Sequence, residues 1–67
     1  MSFADNMRIL REQKNMSKSE LAEYVGVSHA AISYFESGQK MPNAVTAAKI
    51  ASKLDTTVED LVNNERR

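Results

Sequence analysis

Residues 26–38 read GVSHAAISYFESG. Two glycines bracket a segment that gathers His29, Tyr34 and the three serines Ser28, Ser33 and Ser37, with no lysine or arginine among them. Imidazole, phenol and hydroxyl groups can each donate and accept hydrogen bonds. Used as catalysts they would need a nucleophile held by a base, paired carboxylates in a cleft, or a loop that cradles phosphate, and no such arrangement is visible. Used as metal ligands they would need company. The chain has one histidine with nothing beside it at ligand spacing, and no cysteine, so zinc and disulfide chemistry are both set aside. What is left is a polar surface made of neutral donors and acceptors.

The whole chain bounds what that surface can serve. Its 67 residues amount to one domain, residues 1–67, too small to enclose a substrate pocket and marginal in stability unless well packed or oligomeric. Hydrophobic residues at 42% and charged residues at 27% are an ordinary globular composition. No apolar run approaches a membrane span, and the N-terminus lacks the apolar core of a signal peptide, so the cytoplasm is the default compartment. The formal net charge is zero, which favours no partner until the charges are placed.

The elements that must position residues 26–38 are helices. Apolar residues fall at helical spacing throughout, strand-like alternation is absent, and five short helices account for the chain. The first is expected from about Phe3 to Lys14, capped by Ser2, with Phe3, Met7 and Leu10 on one face. The second starts at the capping box Ser17-Lys18-Ser19-Glu20, turns Leu21, Ala22 and Val25 inward, and stops at Gly26. The third is capped by Ser28 and stops at Gly38, with Ala31, Ile32 and Phe35 inward. The fourth follows Pro42 with Asn43 as cap, and the stripe Ala44, Ala47, Ala48, Ala51 and Leu54 is read as its packing face. The fifth is capped by Thr57, and Val58 and Leu61 are expected to close the core.

Helices 2 and 3, joined by a short turn at Gly26, form a helix-turn-helix, about residues 18–37. The stretch MSKSELAEYVGVSHAAISYFESGQKMPNAVTAAKIASKLDTTVEDL resembles the phage repressor and Cro-like helix-turn-helix family. The likeness runs through ELA in the first helix of the motif, GVS at the turn, IS..E.G in the next helix, Pro42, and AAKIASKL....VEDL at the end. It implies an all-α, compact five-helix fold like that of lambda repressor, and sequence-specific binding of double-stranded DNA with helix 3 in the major groove.

The resemblance also assigns roles. Its base-reading positions correspond to His29, Ala30, Ser33 and Tyr34. Phosphate contacts fall on Ser17, Lys18 and Ser28, and after helix 3 on Gln39, Lys40 and Asn43. It pairs an arginine late in helix 1 with the glutamate of E.G, here Arg11 and Glu36, as a partly buried ion pair. Arg8 and Lys14 contribute general positive field. Tyr24 is left open between reaching solvent and covering helix 3. No cofactor or metal is implied.

Charge is uneven. Residues 1–53 hold seven Lys/Arg and five Asp/Glu, a balance of +2, and residues 54–67 hold two and four, a balance of −2. The groove face is therefore mildly positive, but fewer cations face phosphate than in more basic relatives, so non-specific binding should be weak. Val62 has little left to cover. In many relatives the last helix makes a two-fold dimer, and here Val62, with Thr56 and Val45 at its edge, is expected to do the same, setting two recognition helices ~34 Å apart on a pseudo-palindrome. The leading reading is a cytoplasmic dimeric repressor and not an enzyme. Two alternatives stand beside it: an antitoxin with a toxin as protein partner, and a helix-turn-helix used only for protein interaction.

Overall fold

The computed structural model describes residues 2–63 of the chain, and all its regular elements are α-helices: α1 (Phe3–Gln13), α2 (Lys18–Val25), α3 (His29–Ser37), α4 (Ala44–Lys53) and α5 (Val58–Asn63). Each starts on a short polar side chain that accepts from an amide of the first turn. Ser2 Oγ accepts from Asp5 N at 3.2 Å, Ser17 Oγ from Glu20 N at 3.0 Å, Ser28 Oγ from Ala31 N at 3.0 Å, Asn43 Oδ1 from Thr46 N at 2.8 Å and Thr57 Oγ1 from Asp60 N at 3.0 Å. These caps satisfy amides that the helix itself leaves without partners.

The helix ends follow a second rule. Gly26 and Gly38 sit at φ 85° and 81°, where a side chain is disfavoured, and they stop α2 and α3. Beyond α1 and α4 the same left-handed geometry is taken by Asn15 at φ 55° and Asp55 at φ 57°, two of the residue types that tolerate it.

Packing joins α3 to both α1 and α2, sets α2 and α5 against α4, and brings α5 back onto α1. The centre is Met7, Leu21, Ile32, Ile50, Leu54 and Leu61, all fully buried, ringed by Phe3, Ala22, Val25, Phe35 and Ala51. Burying each of the larger side chains is worth about 1.5–3 kcal/mol. Leu10, Met16, Val27 and Ala31 pack on the outside of this cluster, so Ala31 lies at the core's edge rather than within it.

Two further expectations need correcting, and one buried residue was not foreseen. The inward stripe of α4 is Ala47, Ile50, Ala51 and Leu54, while Ala44 and Ala48 are exposed. Alanine is too small to fix a helix face, and Ile50 decides it. Val58 does not close the core: it is 37% exposed, and Leu61 does that work alone. Asn6, which the apolar pattern passes over, is buried and donates Nδ2 to the Leu61 carbonyl oxygen at 2.7 Å, tying α1 to the last helix across 55 residues of sequence. A buried amide must find such a partner, and here the bond also fixes where α5 docks.

Candidate nucleic-acid interface

α3 is held from behind. Ile32 and Phe35 sit in the core, and beside them Glu36 is buried against α1. Arg11 Nε donates to Glu36 Oε2 at 2.6 Å and Nη2 to Oε1 at 3.1 Å, a bidentate pair between α1 and α3. The same guanidinium donates Nη1 to the Met16 carbonyl oxygen at 2.7 Å, which fixes the loop leading into α2. One side chain thus sets the angle of α3 and the starting point of α2. The hydrogen bond to Glu36 raises the Arg11 pKa above its ordinary value, against the opposing effect of burial. A buried pair of this kind fixes geometry more dependably than it adds stability.

The opposite side of α3 faces solvent. His29 and Ala30 are exposed, Ser33 is half-buried, and Tyr34 is 41% exposed. Although α3 has no cation of its own, two lysines from neighbouring segments reach it. Lys18, at the start of α2, places Nζ 3.3 Å from Ser33 Oγ. Lys40, just after α3, places Nζ 4.9 Å from the centre of the Tyr34 ring. Sequence spacing gave no hint of either meeting, since both cross a turn and neither follows the i, i+4 rule of a helix face.

The remaining candidates take backbone-capping posts around α3. Ser17 closes a full capping box: its Oγ accepts from the Glu20 amide, and its own amide donates to Glu20 Oε1 at 2.8 Å. A carboxylate therefore already occupies the N-terminal end of α2, and the cation available there is Lys18. Ser28, which is exposed, accepts from Ala31 N through Oγ, and its hydroxyl is also a donor. Gln39 is exposed, and its backbone N–H donates to the Tyr34 carbonyl oxygen at 3.1 Å. Asn43 caps α4 through Oδ1, which leaves its amide group as a donor.

Other charges are engaged elsewhere. Arg8 lies between Asp5 at 3.6 Å and Glu12 at 3.7 Å on the exposed side of α1, and Lys14 pairs with Asp55. Tyr24, 51% exposed, reaches solvent: Lys53 Nζ stands 4.7 Å over its ring, beside an open groove lined by Lys14, Met16, Ser52 and Asp55. Among the described residues Val45 at 66%, Met41 at 63% and Val62 at 47% exposure are the most open large apolar side chains apart from Tyr24, and Thr56 is half-buried. Met41 is the residue of this set that the sequence reading did not single out. Among the described residues no group of three or more potential ligands could hold a metal ion, and no helix is long and apolar enough to cross a membrane.

This geometry has known counterparts. A helix-turn-helix family model matches residues 7–61. The chain is 39% identical over 62 residues to the HTH-type transcriptional repressor RghR of Bacillus subtilis, covering 91% of this chain and 46% of that protein. It spans 32% to 60% of the length of the curated relatives it matches. It superposes on the P22 c2 repressor, solved with a synthetic operator, with a TM-score of 0.93 at 23% identity over 97% of this chain and 98% of that one, a likeness of fold. It also matches SinR of Bacillus subtilis in complex with DNA, with a TM-score of 0.80 at 30% identity over 88% and 95% of the two chains. The chain belongs to the helix-turn-helix family.

Proposed function

We propose that this chain is a cytoplasmic, non-enzymatic regulator of transcription that binds double-stranded DNA as a homodimer and lays α3 in the major groove. The observation that carries the reading is the division of α3. One side, Ile32, Phe35 and Glu36, is buried and braced, and the other, His29, Ala30, Ser33 and Tyr34, is turned away from the core. His29 can donate to guanine O6 or N7, Ala30 suits a thymine methyl, and Ser33 is a weak specifier. Around them, Ser17, Lys18, Ser28, Gln39, Lys40 and Asn43 are placed to position the helix on phosphates. Few of these are cations, so the salt dependence of binding is shallow for this class of protein. The names of its relatives, a transcriptional repressor and a regulator solved with DNA, support the same assignment.

The dimer rests on the exposed Val62 and Val45, together with the half-buried Thr56 and the exposed Met41. Val62→Glu should weaken self-association and duplex affinity together while leaving helicity unchanged. Sedimentation that finds the wild type monomeric both free and on DNA contradicts it. Selection of bound fragments from random duplex DNA tests the whole reading. It should return a pseudo-palindrome with half-sites one helical turn apart. Failure to enrich any duplex, with a stable protein complex instead, would transfer the assignment to an antitoxin or a protein-interaction module.

A further inference from the structure

Lys40 is tied to Tyr34 twice. Its ammonium lies over the ring, 4.9 Å from the centroid, and its backbone amide lies 3.4 Å from the Tyr34 carbonyl oxygen, which also accepts from Gln39 N at 3.1 Å. The turn at Gly38, φ 81°, folds the chain back so that residue 40 returns over residue 34. A lysine side chain is otherwise a long, freely rotating stem. Here one aromatic residue holds both its root and its tip beside the outer side of α3, where Ser33, at the middle of the helix, has the Lys18 ammonium against it.

We infer that Tyr34 is a positioning residue for Lys40, holding the ammonium where it meets a DNA phosphate, rather than a reader of base edges. The inference rests on the DNA-binding reading and deepens it. The face of the ring attracts the cation, and an ordered cation loses less conformational freedom on reaching phosphate. The remaining base readers are His29 and Ala30, with Ser33 as a weak specifier, and sequence preference concentrates in the N-terminal turn of α3.

An uncharged tyrosine cannot itself alter counterion release, so any effect on the salt slope must pass through a cation. Affinity of the full chain for a short mixed-sequence duplex is measured over a series of salt concentrations. Lys40→Ala should lower the slope by about one unit for each protomer bound. Tyr34→Leu should lower it in the same direction and weaken binding by about two- to fivefold, the equivalent of an exposed cation–aromatic contact. Tyr34→Leu with Lys40→Ala should lose no more slope than Lys40→Ala alone, and Tyr34→Phe, which keeps the ring, should restore the slope. Tyr24→Leu, which removes the other lysine–tyrosine stack, is the control and should not change the slope. In the free protein, the Lys40 ε-methylene protons should carry an upfield ring-current shift that Tyr34→Leu removes and Tyr34→Phe keeps.

If duplex binding responds to Lys40→Ala but the slope ignores Tyr34→Leu, the positioning role is wrong and the DNA-binding reading stands. Loss of preference at one base position in Tyr34→Phe would return Tyr34 to base reading and overturn the inference. Absence of the ring-current shift overturns it as well. A wild type that binds no duplex at low salt removes the DNA-binding reading and this inference with it.

Discussion

Four helices of this chain end on a residue in the left-handed region, and the two sides of the molecule do it differently. At the turns flanking α3 the residue is Gly26 or Gly38; at the far side, after α1 and α4, it is Asn15 or Asp55. Each side also carries a lysine over a tyrosine, Lys40 on Tyr34 beside α3 and Lys53 on Tyr24 at the far groove. The local devices are nearly the same, but their surroundings differ. A Cβ added at Gly26 or Gly38 would meet nothing within 4 Å, so glycine stands there for backbone angle alone. At the far side the position keeps a side chain, and at Asp55 that side chain is used, in a pair with Lys14. A turn or a stack has no function by itself; the element it positions gives it one.

The largest effect should come from the brace behind α3, which the far side lacks. Glu36→Ala leaves Arg11 buried without its carboxylate, and breaking such a pair costs about 3–5 kcal/mol. Urea titration followed by circular dichroism should show the variant mostly unfolded at a denaturant concentration where the wild type is intact. Arg11→Met together with Glu36→Leu should recover a large part of the loss, short of all of it, because Met16 loses the donor that fixes its carbonyl. Equal stability of Glu36→Ala and wild type would mean that α3 is held by its apolar side alone.

The turns sharpen the contrast next. Gly26→Val should cost about 1–3 kcal/mol through backbone strain alone. Asn15→Gly should stay within about 0.5 kcal/mol of the wild type, as asparagine already tolerates its angle. Thermal melting of both variants checks the pair of outcomes, and a larger effect at Asn15 would reverse the comparison.

The smallest effect concerns Lys14 and Asp55. The Lys14 hydrogen bond and charge lower the Asp55 pKa below its ordinary value of 3.8. A lowered folded-state pKa means the contribution is complete above the ordinary value and drains away as pH falls through the folded one. Because Asp55 is exposed, salt screens the pair and little stability rides on it. Melting curves of the wild type and Asp55→Asn should differ slightly near neutrality and converge in acid; a gap that widens in acid contradicts the assignment.

Much of the fold was legible because its signals are local. Ser2, Ser17, Ser28, Asn43 and Thr57 announce the helix starts, Gly26 and Gly38 two of the ends, and Met7, Leu21 and Ile32 the inner faces. The failures are residues whose environment is set by distant chain. Asn6 is buried because Leu61 returns to it, and α4 turns on Ile50 because its alanines favour no face. The candidate interface divides likewise. The outward side of α3 follows from helix periodicity once Ile32 and Phe35 are taken as inward, whereas the arrival of Lys18 and Lys40 on that side depends on how two turns fold back, which no residue spacing encodes.

The claim on which the rest depends is that the outward side of α3 reads bases. The direct measurement is the affinity of the wild type and His29→Ala for every single-base variant of the selected site. A base contact is worth about 1–3 kcal/mol of discrimination at its own position. His29→Ala should therefore flatten preference at one symmetric pair of positions and leave preference elsewhere as it was. A uniform fall in affinity across all variants would make His29 a positioning or stabilising residue, and an unchanged profile would mean that this side of α3 does not face the groove.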